Sequence, residues 1–443
     1  MKPMSPLHAG RSRRPALLAA ALALLSWGFP LQGLSAQEPT GAPLPAPALA
    51  PAPALAPAPA PAGTANTAEA AATIRALVEE AHRTRHLRAV LVRVSVEGPE
   101  IFTTALGESL PGEAATTEMR FRNGAVAISY VSTLLLRLAE RGVVELDGPL
   151  ARWLPRIPHA ERVSLRQLAQ MTSGYRDYVH NPAFLDAFYR DPFRSWRPQE
   201  LIAFGEPARL LYEPGTNWNY AHTNVVLLGL ALERATGQPL AQLLQQEVLG
   251  PLGLRHTGDP GTPAIPPPVL HAYTAERRPT LGIAPATPFL EESTFWNPSW
   301  TLAAGAIQTT TLADLHTTAI GIGSGRLLSP ASYRAMVTTD LRGRTTALPG
   351  CTTCFPQGEG YTYGLGIVTS GNWLTQNPLF GGYAASFGYH PGKRIAIAVA
   401  VTYRAEAFDA DGNYPNEADR LFRRIGALLA PDDAPPMPRS EGG

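Results

Sequence analysis

Residues that alternate with a period of two occur at both ends of the main body of this chain, and text with a helical period fills the space between them. Val90, Val92, Val94 and Val96 alternate with Leu91, Arg93 and Ser95, Gly98-Pro99 offers a turn, and Ile101 to Leu106 returns. This pattern predicts an antiparallel hairpin. Near the other end, Tyr363 to Thr369 and Ile395 to Tyr403 are again β-rich, with Gly and Pro between them. Ahead of the first strand, Ile74, Leu77, Val78 and Ala81 recur at helical spacing, which predicts an amphipathic helix from Ala70 to His86. Between the strand groups, helices are expected at Val131 to Arg141 before Gly142, Leu165 to Met171, Asn224 to Thr236 before Gly237, and Leu240 to Leu249 before Gly250-Pro251. Such segregation predicts an α+β fold, an antiparallel sheet drawn from both termini and flanked by helices, with a mostly helical insertion.

The text before this body is of another kind. Arg11, Arg13 and Arg14 precede an apolar run from Ala16 to about Phe29, and the small residues Ser35 and Ala36 follow, so residues 1–36 read as an export signal. An uncleaved signal anchor is the alternative. Residues 37–68 are dominated by Pro and Ala, which leave the backbone without regular hydrogen bonds and predict an extended, disordered linker. The folded domain is then expected over 69–431 and a disordered tail over 432–443. These segments place the protein outside the cytoplasm: periplasmic, wall-associated or secreted. Lys+Arg 37 against Asp+Glu 36 gives a formal charge of +1, which excludes the basic footprint of a nucleic-acid binder.

Several collinear segments carry a resemblance. Phe121-Arg122-Asn123-Gly124-Ala125-Val126-Ala127-Ile128 opens the series, followed by Leu146-Asp147-Gly148-Pro149 and Met171-Thr172-Ser173-Gly174. Glu213-Pro214-Gly215-Thr216 leads to Tyr220, then come Leu227-Leu228-Gly229, Pro251-Leu252-Gly253-Leu254, Asn297-Pro298-Ser299-Trp300 and Gly382-Tyr383 before His390-Pro391. From about Val90 to Ala430 the order resembles that of the class C serine β-lactamase and penicillin-binding D-Ala-D-Ala carboxypeptidase superfamily with its related esterases. That resemblance implies the same α+β fold and a serine hydrolase ancestry.

Family catalysis requires a Ser whose Oγ attacks a carbonyl and a Lys three residues later on the same helix face to take the proton. At the matching positions stand Ala125 and Ile128. A methyl group cannot form an ester, and a branched hydrocarbon cannot accept a proton. The chain has only two lysines, Lys2 and Lys393; His390 stands three residues before Lys393, so no Ser-x-x-Lys exists anywhere. The second motif resembles Tyr220-Ala221-His222, with His in place of Asn. Aligned without gaps from Gly382-Tyr383, the third falls at Gln376-Asn377-Pro378, where the family's His or Lys and its Gly are absent. The backbone N–H at Ala125 survives as an oxyanion donor.

The resemblance therefore implies a ligand-binding cleft near Ala125, Tyr220, His222 and Trp300, with Phe295 as a second aromatic candidate, and no intact catalytic set. The leading expectation is a pseudoenzyme that binds a peptidoglycan peptide, a small acyl ligand or an envelope protein partner. The alternatives are a weak or non-standard hydrolase (esterase, peptidase or β-lactamase-like) that uses water with Tyr220 and His222, since imidazole is the usual general base, and a structural envelope protein. Cys351 and Cys354 sit in a Pro-Gly loop and are expected to pair as a disulfide in an oxidising compartment. No metal site and no cofactor are expected.

Overall fold

The computed structural model describes residues 64–437. The text read as an export signal (1–36), and the expected linker up to residue 63, lie outside the described residues. Helix α1 spans Thr64–Thr84, so it begins five residues before the expected domain start at 69. The last spacer proline is Pro61, and the Ala-rich text that follows is favourable for a helix. Strands β1 (Leu87–Val96) and β2 (Glu100–Gly107) form the expected hairpin. The C-terminal strands are β3 (Thr362–Tyr363), β4 (Val368–Ser370), β5 (Trp373–Gln376), β6 (Leu379–Phe380), β7 (Tyr383–His390) and β8 (Ile395–Tyr403). The β-rich run from Tyr363 to Thr369 is divided between β3 and β4, because Gly366 takes a positive φ of 67° and turns the chain.

These strands form one antiparallel sheet in the order β2-β1-β8-β7-β5-β4-β3, with β6 paired to β7. Val92 lies opposite Val399 and Val94 opposite Ile397, so the first and last strands are neighbours. The sequence of β8 shows why its two faces differ. Ile395, Ile397, Val399 and Val401 pack with Val90, Val92 and Val94 against α1 and the C-terminal helix α7 (Glu417–Leu429). Ala396, Ala398 and Ala400 project to the other face, where small side chains admit helix α6 (Leu312–Gly323) closely. Gly388 in β7 serves a similar end, since a Cβ there would lie 1.9 Å from the Phe422 ring.

The insertion between β2 and β3 is mostly helical. It contains α2 (Val126–Glu140), α3 (Leu165–Gln170), α4 (His222–Thr236), α5 (Leu240–Leu244) and α6. Helix α5 does not stop at Gly250-Pro251. It continues through a π turn at Gln245–Leu249, in which the Gly250 N–H donates to the Gln245 carbonyl, and ends only at Gly253 with φ +77°. The wider turn accommodates a proline that would clash in a regular α-helix.

The tail boundary at 431 also shifts. Asn372 donates to the Asp433 carboxylate (2.8 Å), His390 Nε2 meets Asp433 Oδ2 (2.8 Å), and the Trp373 indole donates to the Asp433 carbonyl (2.8 Å). Residues 432–437 are thus part of the packed body. No helix among the described residues is long and apolar enough to cross a membrane.

On α6, His316 is buried beneath the sheet with its Nε2 2.9 Å from Ser95 Oγ of β1. Burial, with Arg93 adding to it, pushes this imidazole down to about 4 from 6.5. The folded protein thus refuses a proton that the unfolded chain accepts, so stability is present above pH ~6.5 and is lost as pH falls toward ~4. That interval is expected to remove about 3 kcal/mol. Urea titrations of His316→Gln are expected to lose most of this acid slope; an unchanged slope would rule out His316 as its source.

Candidate active site in the cleft

The floor of the candidate site is the start of α2. Phe121-Arg122 pairs with Thr309-Thr310, and the Asn123 N–H donates to the Gln308 carbonyl, which ties the approach to the helix. Gly124 follows with φ +52°; a Cβ there would fall 2.6 Å from both Pro378 and Phe380, so only glycine lets that segment close over the helix start. Ala125 is the N-cap and provides no side-chain cap. Its carbonyl accepts from Ile128, while its N–H has no partner among the described residues. Ile128 sits one turn deeper at 2% exposure, below the cavity rather than in its wall.

The facing wall comes from the start of α4. Ala221 is its N-cap in extended conformation (φ −143°, ψ 119°), which sets Tyr220 and His222 on either side of the bend. Trp300 contributes a third ring, 6.3 Å from His222, and the Tyr220 and His222 rings stand 5.3 Å apart at 89°. Burial, reinforced by Tyr363, Tyr361 and Asp177 nearby, pushes the Tyr220 phenol well above its ordinary value. At neutral pH it is therefore a hydrogen-bond donor.

The third wall is the β5–β6 segment. Gln376 is buried and donates to the Gly366 carbonyl (2.9 Å), an oxygen that also accepts from Ser129 (2.8 Å). The Ala385 N–H donates to Pro378 O, but the reciprocal bond is missing because Pro378 has no N–H. Leu379 pairs with Ala384 in the next position of the ladder. In an antiparallel pair that alternation makes Leu379 the non-hydrogen-bonded residue, so its N–H turns away from β7 at the edge bordering the cavity.

Together these walls enclose about 320 Å³, at the small end for ligand pockets. Of the residues singled out from sequence, the structure brings Ala125, Tyr220, His222, Trp300, Gln376 and Pro378 into one lining. Ile128 lies beneath it. Phe295 does not join it, being 40% exposed with its ring against His271. Among the described residues no Ser, Cys, Lys, Arg, Asp or Glu lines the cavity, and the one aliphatic hydroxyl among them there, Thr301, donates to Pro298 O (2.8 Å).

Sequence reasoning missed Asp177. Its carboxylate is 2% exposed and lies beneath His222. Oδ1 accepts from the backbone N–H groups of Val179 (3.2 Å) and His222 (3.0 Å), while Oδ2 lies 3.0 Å from His222 Nδ1. A lone Asp between Arg176 and Tyr178 belongs to no motif, and the fold alone brings it to a residue 45 positions away. The expected disulfide, Cys351–Cys354, is present in its loop outside the cavity.

Residues 72–422 match the Beta-lactamase family, and the chain belongs to that family. Among curated proteins it is 30% identical over 206 residues to esterase EstB of Burkholderia gladioli, covering 44% of this chain and 52% of that protein. It is 28% identical over 176 residues to the D-alanyl-D-alanine-carboxypeptidase/endopeptidase AmpH of Escherichia coli K12, covering 37% of this chain and 43% of that one. The chain thus spans about half the length of the curated relatives it matches. A D-stereospecific amidohydrolase from Streptomyces sp. shares the fold with a TM-score of 0.66 at 24% identity, covering 82% of this chain and 99% of that one.

Proposed function

We propose that this family member binds a carbonyl compound in the cleft without forming an acyl-enzyme, a pseudoenzyme with respect to serine acyl transfer. The observation that carries this reading is the hydrocarbon at both Ala125 and Ile128, with no other free nucleophile in the lining. What supports carbonyl binding is the backbone: the N–H groups of Ala125 and Leu379 border the cavity, and two such donors suffice to hold a polarised oxygen. The relatives are named for esters, D-alanyl peptides and amides, all acyl compounds. Export to the envelope is part of the same proposal, and the Cys351–Cys354 disulfide supports it because such bonds persist in oxidising compartments.

The test is intact-mass spectrometry after incubation with a labelled penicillin. No adduct is expected. A stable adduct lost on changing one cleft hydroxyl would overturn the proposal.

A further inference from the structure

We infer that Asp177 and His222 form a general-base pair that delivers water directly to the carbonyl of an uncharged ester carrying an aromatic or apolar group. The inference rests on the reading above, that the cleft binds a carbonyl.

Asp177 could be no more than a cap, since Oδ1 holds the first N–H of α4 and that of Val179. Capping leaves Oδ2 unexplained, and Oδ2 is the oxygen 3.0 Å from His222 Nδ1. A carboxylate this buried needs hydrogen-bond donors at both of its oxygens. Among the described residues it has no Arg or Lys partner, only His222 and, at 3.8 Å, His180. Such a contact places the proton on Nδ1 and leaves Nε2 as an acceptor. His222 is 19% exposed at the side chain and lines the cavity, and Nε2 has no partner among the described residues.

The lining also selects the substrate. It holds no cation to pair with a carboxylate, whereas Tyr220, Trp300, Tyr361 and Phe380 offer aromatic surface. A neutral ester with a flat ring fits; a C-terminal carboxylate would be desolvated without compensation. In the step inferred, water loses a proton to His222 Nε2 as its oxygen bonds to the carbonyl carbon. The resulting oxyanion is held by the Ala125 and Leu379 N–H groups. The ester C–O bond then breaks, His222 returns the proton to the leaving oxygen, and the products are an alcohol or phenol and a carboxylic acid.

The experiment uses two matched esters, methyl 4-acetoxybenzoate (neutral) and 4-acetoxybenzoate (anionic), with phenol release followed by absorbance. Methyl 4-acetamidobenzoate reports binding through tryptophan fluorescence. Expected are turnover of the neutral ester without a burst, at least tenfold lower kcat/KM for the anion, and saturable binding of the amide. His222→Ala is expected to lose about 10²-fold or more in kcat, keep amide binding and regain activity with added imidazole. Asp177→Asn keeps an oxygen for both backbone N–H groups but presents an amide to Nδ1, so kcat is expected to fall at least tenfold with unchanged melting. Amide binding with no turnover, or turnover indifferent to His222→Ala, would sink the pair while sparing the cleft. Failure to bind the amide would overturn the carbonyl-binding reading itself.

Discussion

An Ala125→Ser, Ile128→Lys double variant is expected to be less stable than the parent by about 3 kcal/mol or more and to acylate only slowly with a labelled penicillin. Ala125 lines the cavity, so a serine there fits. Ile128 is different, because it is 2% exposed and packed under the helix start. One carbonyl close to α2 there, Gly366 O, already accepts from Ser129 and Gln376. Among the described residues no carboxylate lines the cavity to pair with an ammonium. A lysine there would be driven to its neutral form, which is the form a base needs, but the folded state would bear the desolvation. Urea unfolding of both single variants and the double, with intact-mass kinetics, separates the two effects. Parent-like stability together with rapid acylation would show that only two side chains stand between this cleft and family chemistry.

Asp419→Ala is expected to cost about 3–5 kcal/mol, the usual consequence of stranding one member of a buried ion pair. Arg423 Nε lies 2.7 Å from Asp419 Oδ2, and the two side chains are 3% and 5% exposed. The same guanidinium donates to Ser370 Oγ (2.8 Å) in β4 and to the carbonyl of Pro436, so it fastens α7, the sheet and the C-terminal segment together. Replacing both partners, as Asp419→Leu with Arg423→Met, is expected to recover much of the loss. If the double replacement were as damaging as the single one, lost packing rather than a stranded charge would be the cause.

What the sequence disclosed depended on how asymmetric each element's environment is. β1 and β8 were legible because one face of each takes a row of Val or Ile while the other, Leu91 apart, takes small or polar residues. β7 was not read as a strand, since all eight of its residues are buried and several are Ala, Ser or Gly, with no apolar alternation; at Gly388 a Cβ would run into the Phe422 ring. α6 was overlooked for a related reason. It is covered on most sides, and Gly321 and Gly323 there face Leu252 and Tyr389, so it shows little amphipathic period. At the site, the missing serine and lysine were visible in the text, and so were Tyr220 and His222. Asp177 was invisible because its significance lies only in a contact made by the fold.

The neighbourhood of β1 and β8 also constrains how the molecule comes into being. The hairpin is made early in synthesis, but the strand that covers its inner edge ends at Tyr403, roughly 300 residues after Val96. At ribosomal speeds of ~5–20 residues per second, the edge of β1 stays open for on the order of 15–60 s. Throughout that interval a row of unpaired backbone groups flanked by valines is open to pairing with other chains, a hazard that ends only when β8 takes its place beside β1.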